Sequence, residues 1–435
     1  MSVEMRSVPL GEFVTLKRGT TYKSAMLGQP GPVLLGLGSI ERNGGFRSGN
    51  LKTFGGDSDP RILLKPGDIY VSLKDVTQSA DLLGAVARVP SQVREGRLTQ
   101  DTVKLVWRTG DAPADYIYWL LRTPQYRAYC RAHATGTTNL GLPRDDFLAF
   151  PIPALNSARH TLVELLEALE GKIENNRRMN EMLEAMAREL FRDWFIYFGP
   201  TRAMMEGREP YLDSGLWSLF PDRFDSERKP DGWIQSAIGD EARVVVGGTP
   251  STRESGFWGG SLNWATPKDL SLLSTPVLLA TARKLTEEGV SKISSGMLPQ
   301  GTVLLSSRAP IGYVAIAEVP VAVSKGFIAL ECDQSLGNMF IWLWVVESMK
   351  AILAKANGST FQEVSKKNFR PLPILRPPQK LHDAFDQIVR PLYERMVMAE
   401  REARSLVQVR DALLPRLMSG ELRIRDAERM AEAVT

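Results

Sequence analysis

Two cysteines and three histidines in 435 residues leave little material for thiol or metal chemistry. Cys130 and Cys332 are too few for a disulfide framework or a cysteine zinc site. His133, His160 and His382 are too scattered to suggest a histidine metal centre. Long apolar runs are also missing. The longest, Met339 to Val346, has eight residues before Glu347 stops it, less than half of a membrane span. The first residues, MSVEMRSVPLGE, lack an apolar signal core. A cytoplasmic chain without a structural metal is therefore expected. No Walker A loop occurs, since the only Gly-Lys pair, Gly171-Lys172, has no glycine loop before it. The Asn/Asp-Pro-Pro-aromatic tetrapeptide of amino-methyltransferases is absent. The run Leu35-Gly36-Leu37-Gly38 has neither the following helix nor the acidic residue of a cofactor loop. What is present, 43% hydrophobic and 24% charged residues in 48.3 kDa, is globular and implies two or three domains.

Charge is distributed by block. Residues 1–155 hold 19 Lys and Arg against 14 Asp and Glu, and residues 233–378 hold 14 against 11. Residues 156–232 run the other way, with 11 against 15, and residues 379–435 balance at 10 each. A mild excess of this kind suits an ordinary solvated surface or a polyanionic partner.

The two basic blocks end alike. Residues 135–153 read TGTTNLGLPRDDFLAFPIP and residues 357–375 read NGSTFQEVSKKNFRPLPIL. At a constant offset of 222 residues, Gly136 meets Gly358, Thr138 meets Thr360 and Phe147 meets Phe369. Pro151 and Ile152 then meet Pro373 and Ile374, Thr137 and Arg144 meet Ser359 and Lys366, and His160 falls on His382. This is a long-period duplication. Element order agrees. Strand-like runs at Val33–Leu37, Ile62–Leu73, Leu82–Val89 and Thr102–Trp107 precede a helical stretch from Asp115 to Ala134 and a strand at Phe147–Ile152. The second block has runs at Val303–Ser306, Tyr313–Glu318 and Phe327–Glu331, then a helix from Asn338 to Ala356.

Each block is followed by a heptad pattern. One seam holds Leu162, Leu169, Asn176, Leu183 and Leu190, with Leu166, Ile173, Asn180, Ala187 and Trp194 beside it. The other holds Phe385, Leu392, Ala399, Leu406 and Leu413, with Val389, Met396, Ala403, Arg410 and Leu417. Such heptads predict long helices in a coiled coil, rods of roughly 60 Å at about 1.5 Å per residue, and each is the other's obvious partner. Asn176 and Asn180 either fix register or face water. Pro391 implies a kink there or a helix start just before it. The fold class expected is α+β: two β-rich domains joined by two long helices in an antiparallel coiled coil, with a pseudo-two-fold internal repeat. The divisions are residues 1–155, the helix 156–198, a Gly-, Pro- and charge-rich connector 199–232, residues 233–377, the helix 378–420 and a tail 421–435.

No catalytic constellation emerges. Asp222, Glu227, Arg228 and Lys229 have the residue types of a metal-dependent phosphodiesterase, but they are crowded into a segment that reads as a charged linker. A binding protein fits better. Two basic domains with approximate two-fold symmetry match the local symmetry of duplex DNA. The loops Thr137-Thr138-Asn139 and Ser359-Thr360 offer donors suited to phosphate oxygens. Lys74, Gln78, Arg308 and Lys325 have the reach for phosphates or base edges. The cluster Trp194-Phe195-Ile196-Tyr197-Phe198 is too large to leave exposed and is either core or a partner-docking site.

The chain resembles the DNA-specificity subunit of type I restriction-modification systems. The resemblance is carried by Gly247-Gly248-Thr249-Pro250, Phe257-Trp258-Gly259-Gly260 and Trp264, by Leu304-Leu305-Ser306-Ser307-Arg308-Ala309-Pro310-Ile311-Gly312, and by Leu190-Phe191-Arg192-Asp193-Trp194-Phe195. In the first block, Leu64-Lys65-Pro66-Gly67-Asp68-Ile69-Tyr70 and Gly96-Arg97-Leu98-Thr99-Gln100-Asp101 look like one target-recognition subtype. Where many relatives have Asn-Gln before the Gly-Phe of the second block, this chain has Ser324-Lys325. The resemblance implies two target-recognition domains reading a bipartite, asymmetric DNA target. Thr249 and Ser306 join the DNA-facing candidates, and Trp194, Phe195 and Tyr197 become candidates for partner docking. Two adenine-methyltransferase subunits and nuclease-translocase subunits are implied as partners, with no membrane. This chain is then non-catalytic and binds no cofactor, and S-adenosylmethionine, ATP and Mg belong to the partners. The contrasting readings are a self-sufficient metal-dependent nuclease and a coiled-coil scaffold that does not bind DNA.

Overall fold

A computed structural model describes residues 7–49, 51–76, 79–137, 139–308, 310–358 and 362–420. Its contacts divide the chain into two compact units: residues up to Ile173 together with those from Arg404 onward, and Glu174 to Ala403. Both long helices therefore contribute to both units.

In unit one, the strands Val14–Arg18, Thr102–Trp107, Ile69–Ser72 and Val86–Arg88 form an antiparallel sheet in that order. A second sheet joins Val33–Leu35, Gly96–Leu98 and Leu63–Leu64. Ser7–Pro9 pairs with Pro151–Pro153 and closes the domain. The single helix expected from Asp115 to Ala134 is two, Ala114–Leu120 and Pro124–Ala132. Pro124 opens the second helix, where its missing N–H is no loss, and the Thr123 hydroxyl accepts from the Tyr126 N–H at 3.3 Å. Trp119, Tyr126 and Phe147 share a core with Leu162, Leu166 and Ile173 of the first long helix and Leu406, Leu413 and Leu417 of the second. Each buried leucine here contributes about 1.5–3 kcal/mol. The helices run antiparallel: Glu170 meets Arg410, and Arg159, nearer the start of the first helix, donates to the carbonyls of Leu417 and Met418 at the end of the second (3.1 and 2.9 Å). Those terminal carbonyls have no partner within their own helix.

Unit two repeats the scheme with additions. Its main sheet runs Arg243–Val246, Phe327–Glu331, Val303–Ser307, Ile311–Ala317 and Val277–Leu278. A three-stranded sheet joins Arg283–Leu285, Trp258–Ala265 and Val321–Val323, and Ile234–Ala237 pairs with Pro373–Arg376. The helix Asn338–Glu347 is apolar all round because it is wholly interior, with every residue from Met339 to Val345 buried. The helix pair is again antiparallel: Asn176 donates to Glu402 at 2.7 Å, and further along Phe191 packs on Phe385.

The heptad seam is the buried face observed, from Leu162 to Trp194 and from Phe385 to Leu417, with Leu183, Leu190 and Leu392 only partly buried. Asn176 and Asn180 are interior rather than facing water. The first long helix spans Ser157–Phe191 and ends in a wider turn over Arg192–Ile196. The second spans Gln379–Ser419 unbroken, so it does not start at Pro391. Pro391 and Gln387, whose carbonyl loses its intrahelical donor, are both exposed, and water can satisfy that carbonyl. The connector is more ordered than its composition suggests. It holds the helices Gly199–Met205 and Ser214–Trp217 and, joined by Trp233 just after it, lays Phe220 on the end of the first long helix. No described helix is long and apolar enough to cross a membrane.

Candidate nucleic-acid interface

Each unit builds one corner where its main sheet ends, and the two corners follow one plan. In unit one Ser72 pairs with Thr102, and in unit two Ser306 pairs with Phe327. This register makes Lys74 the counterpart of Arg308, and Gln100-Asp101 the counterpart of Lys325-Gly326. Both serines are fully buried and bond backbone just beyond the strand. Ser72 exchanges hydrogen bonds with Lys74, while Ser306 donates to the Pro310 carbonyl at 2.9 Å and accepts from the Tyr313 N–H at 2.8 Å. Ser306 is thus not DNA-facing, as its sequence context suggested. Its hydroxyl is used up in shaping the turn that presents Arg308.

The described residues flanking Gly136 and Gly358 return to the same corners. Strand Lys74–Asp75 pairs with Leu140–Gly141, and Thr135 and Gly141 exchange backbone hydrogen bonds at 2.8 Å. In unit two Arg308 bridges Glu363, and Asn357 and Glu363 exchange theirs at 2.9 Å. Gly136 and Gly358 take φ of 91° and 110°, a region that favours glycine. Thr137 and Asn139 are exposed at the first turn. Lys74, exposed, and Arg308, half-buried, are each steadied by a carboxylate, Asp101 at 3.4 Å and Glu363 at 3.7 Å. Lys325 is exposed beside Gly326, whose Cβ, if present, would lie 3.7 Å from Arg308. Gln78, Thr138, Ser359 and Thr360 lie outside the described residues.

A third segment meets each corner through a close backbone approach. A Cβ on Gly247 would stand 2.0 Å from the Val323 carbonyl oxygen, and one on Gly19 would stand 2.2 Å from that of Thr99. Only glycine fits there, and the following residues bring Thr21 and Thr249, both exposed, alongside. The matching of Gly19-Thr20-Thr21 with Gly247-Gly248-Thr249 was not read from the sequence. A Gly-x-Thr tripeptide was the available signal. Unit one adds Arg18, whose Nε donates to the Gln100 carbonyl at 3.0 Å, and Arg144, which reaches the Leu16 carbonyl at 3.4 Å. With Lys74 they line a cleft of about 420 Å³. An edge of exposed cations, hydroxyls and amide groups suits phosphates and base edges.

The aromatic cluster divides. Trp194 and Phe195 are 0% and 5% exposed, packed on Phe220, Trp233, Phe340 and Phe385. They are core, because the connector covers them, and so they offer no docking surface. Tyr197 is 59% exposed and Ile196 44%. The acidic string near Asp222 forms a turn in which Lys229 bonds Asp225 and Glu227. Among the described residues no three His, Cys, Asp or Glu side chains come together as a metal site. Burial pushes the Cys332 thiol up to about 12 and also raises Cys130, so neither is a thiolate near neutral pH.

Residues 230–387 match the family model described as the type I restriction modification DNA specificity domain. The type I restriction enzyme MjaIX specificity subunit of Methanocaldococcus jannaschii is 36% identical over 155 residues, covering 35% of this chain and 36% of that one. The HindI specificity subunit of Haemophilus influenzae is 23% identical over 306 residues, 60% of this chain and 66% of that one. The chain thus matches about a third of the first relative's length and just under two thirds of the second's. The crystal structure of an S subunit from M. genitalium superposes with a TM-score of 0.54 at 15% identity, covering 96% of both chains, and so shares this fold.

Proposed function

We propose that this chain, which carries a type I restriction modification DNA specificity domain at residues 230–387, is the sequence-reading subunit of a type I restriction-modification complex. The observation that carries the reading is the repeated corner: one sheet register presents a carboxylate-steadied cation, Lys74 or Arg308, beside the paired residues that flank Gly136 or Gly358. A duplicated binding corner with different side chains suits a bipartite target whose halves differ in sequence. Cations and turn hydroxyls hold phosphates, and neighbouring side chains meet base edges. The helices, each contributing to both units, set the separation of the half-sites. Reaction chemistry falls to partners: methyltransferase subunits using S-adenosylmethionine, and nuclease-translocase subunits using ATP and Mg.

Exchanging residues 1–155 for the corresponding block of a relative tests this in a host that also expresses the cognate methyltransferase. One half of the methylated motif changes and the other stays. A change in both halves, or in neither, contradicts independent reading by the two units.

A further inference from the structure

Gln100 and Asp101 line two clefts at once. One, of about 420 Å³, holds Arg18, Lys74 and Arg144. The other, of about 580 Å³, holds Tyr22, Arg47 and Lys52. The dipeptide is therefore a ridge with a cationic trough on either side. Gln100 is exposed at its crest, and its side-chain amide makes no hydrogen bond among the described residues. The main chain is pinned: the Gln100 carbonyl accepts from Arg18, and Lys74 holds Asp101 at 3.4 Å. Arg47 and Lys52 are exposed and make no ion pair among the described residues, and Tyr22 stands edge-on to Phe54 at 6.2 Å.

We infer that this ridge is the base-reading element of unit one, and that the trough of Tyr22, Arg47 and Lys52 is a second backbone-gripping site. The inference rests on the DNA-reading function proposed above. Duplex DNA presents base edges between two phosphate strands, so a reader needs a polar crest between two cationic flanks. A glutamine amide, donating from its NH2 to adenine N7 and accepting at its carbonyl oxygen from N6, makes a bidentate match, and a carboxylate accepts from an exocyclic amine. Lys74 lowers the cost of bringing the Asp101 carboxylate close to DNA. Unit two carries at the same register Lys325, whose side chain only donates, and Gly326, which has no side chain, so its half-site is read by different chemistry.

The test is a quantitative methylome of hosts expressing the full chain with its methyltransferase partner, comparing wild type with Gln100→Ala, Gln100→Glu and Lys52→Ala. Both Gln100 variants relax or change one base of one half-site, with discrimination falling about ten-fold or more, and leave the other half and the spacer intact. Lys52→Ala keeps the motif, lowers affinity of the assembled complex at all sites alike, and reduces the slope of log affinity against log salt by about one. An unchanged motif in both Gln100 variants, with the complex assembled, overturns the ridge. A relaxed base position in Lys52→Ala overturns the trough. Absence of any motif with the wild-type chain, the partner being active, instead removes the DNA-reading function itself.

Discussion

Arg410 of the second long helix donates to Glu170 of the first at 2.8 Å inside unit one, at a seam position where the heptad calls for an apolar residue. Arg410 is 7% exposed, also pairs with Asp411, and shares Glu170 with Arg122 at 3.6 Å. Removing one member of a buried pair strands the other, whereas replacing both with apolar groups is often neutral or stabilising. Arg410→Ala is expected to destabilise unit one by about 1–3 kcal/mol, less than a sealed pair because Glu170 keeps Arg122. Arg410→Met, which keeps an apolar side chain in the seam and leaves Glu170 to Arg122, is expected to recover part of that loss. Denaturant unfolding followed by a unit-one probe measures both, and a methionine variant no more stable than the alanine one refutes the assignment.

Asn180 presents the opposite case. It is 1% exposed, and its amide oxygen has no partner among the described residues. A polar seam residue specifies register at some cost in stability. Asn180→Leu is expected to raise the melting temperature, corresponding to about 0.5–2 kcal/mol, while Asn176→Leu, which breaks a bond to Glu402, gives no such gain. A drop in melting temperature for Asn180→Leu contradicts this.

The heptads made this seam legible in advance, because a period of seven survives whatever packs outside it. The duplication was legible only near its end, where Gly136/Gly358 and Pro151/Pro373 keep one offset. Earlier in the blocks the offset grows, and Gly19 and Gly247 lie 228 residues apart rather than 222. Sheet register, which no local pattern encodes, recovers that match and pairs Gln100 with Lys325. For Trp194 and Phe195 the sequence leaves core and docking surface open for a related reason: what buries them includes Phe220 of the connector and Trp233 just after it, which have no periodicity to announce packing. Ser306 failed because a hydroxyl near a surface turn looks the same in sequence whether it faces inward or outward.

Gly19 and Gly247 provide a matched pair of probes. A Cβ at either position collides with a carbonyl oxygen, at 2.2 and 2.0 Å, and forces the Gly-x-Thr segment away from its corner. Gly19→Ala is expected to weaken reading of the half-site served by unit one, and Gly247→Ala that served by unit two. Binding to duplexes altered in one half at a time separates the two effects. Equal loss in both halves from one substitution contradicts the assignment.

Burial raises the Glu184 carboxyl above its usual value, with Arg188 opposing. The folded state then holds the proton more tightly than the unfolded one, so stability is lost as pH rises through the window between the two pKa values. Glu184→Gln is expected to melt higher than wild type at pH 7, with the difference closing below about pH 4. A constant difference across a pH series of thermal melts speaks against desolvation as the cause.

The central claim is that this chain directs methylation to a two-part sequence. The most direct measurement is the methylome of a host expressing the chain with a type I methyltransferase subunit that assembles with it, set against the same host lacking the chain. An asymmetric bipartite adenine motif, fully modified in the first and unmodified in the second, is the result predicted. An identical methylome in the two hosts, with the methyltransferase shown to be active, would contradict it.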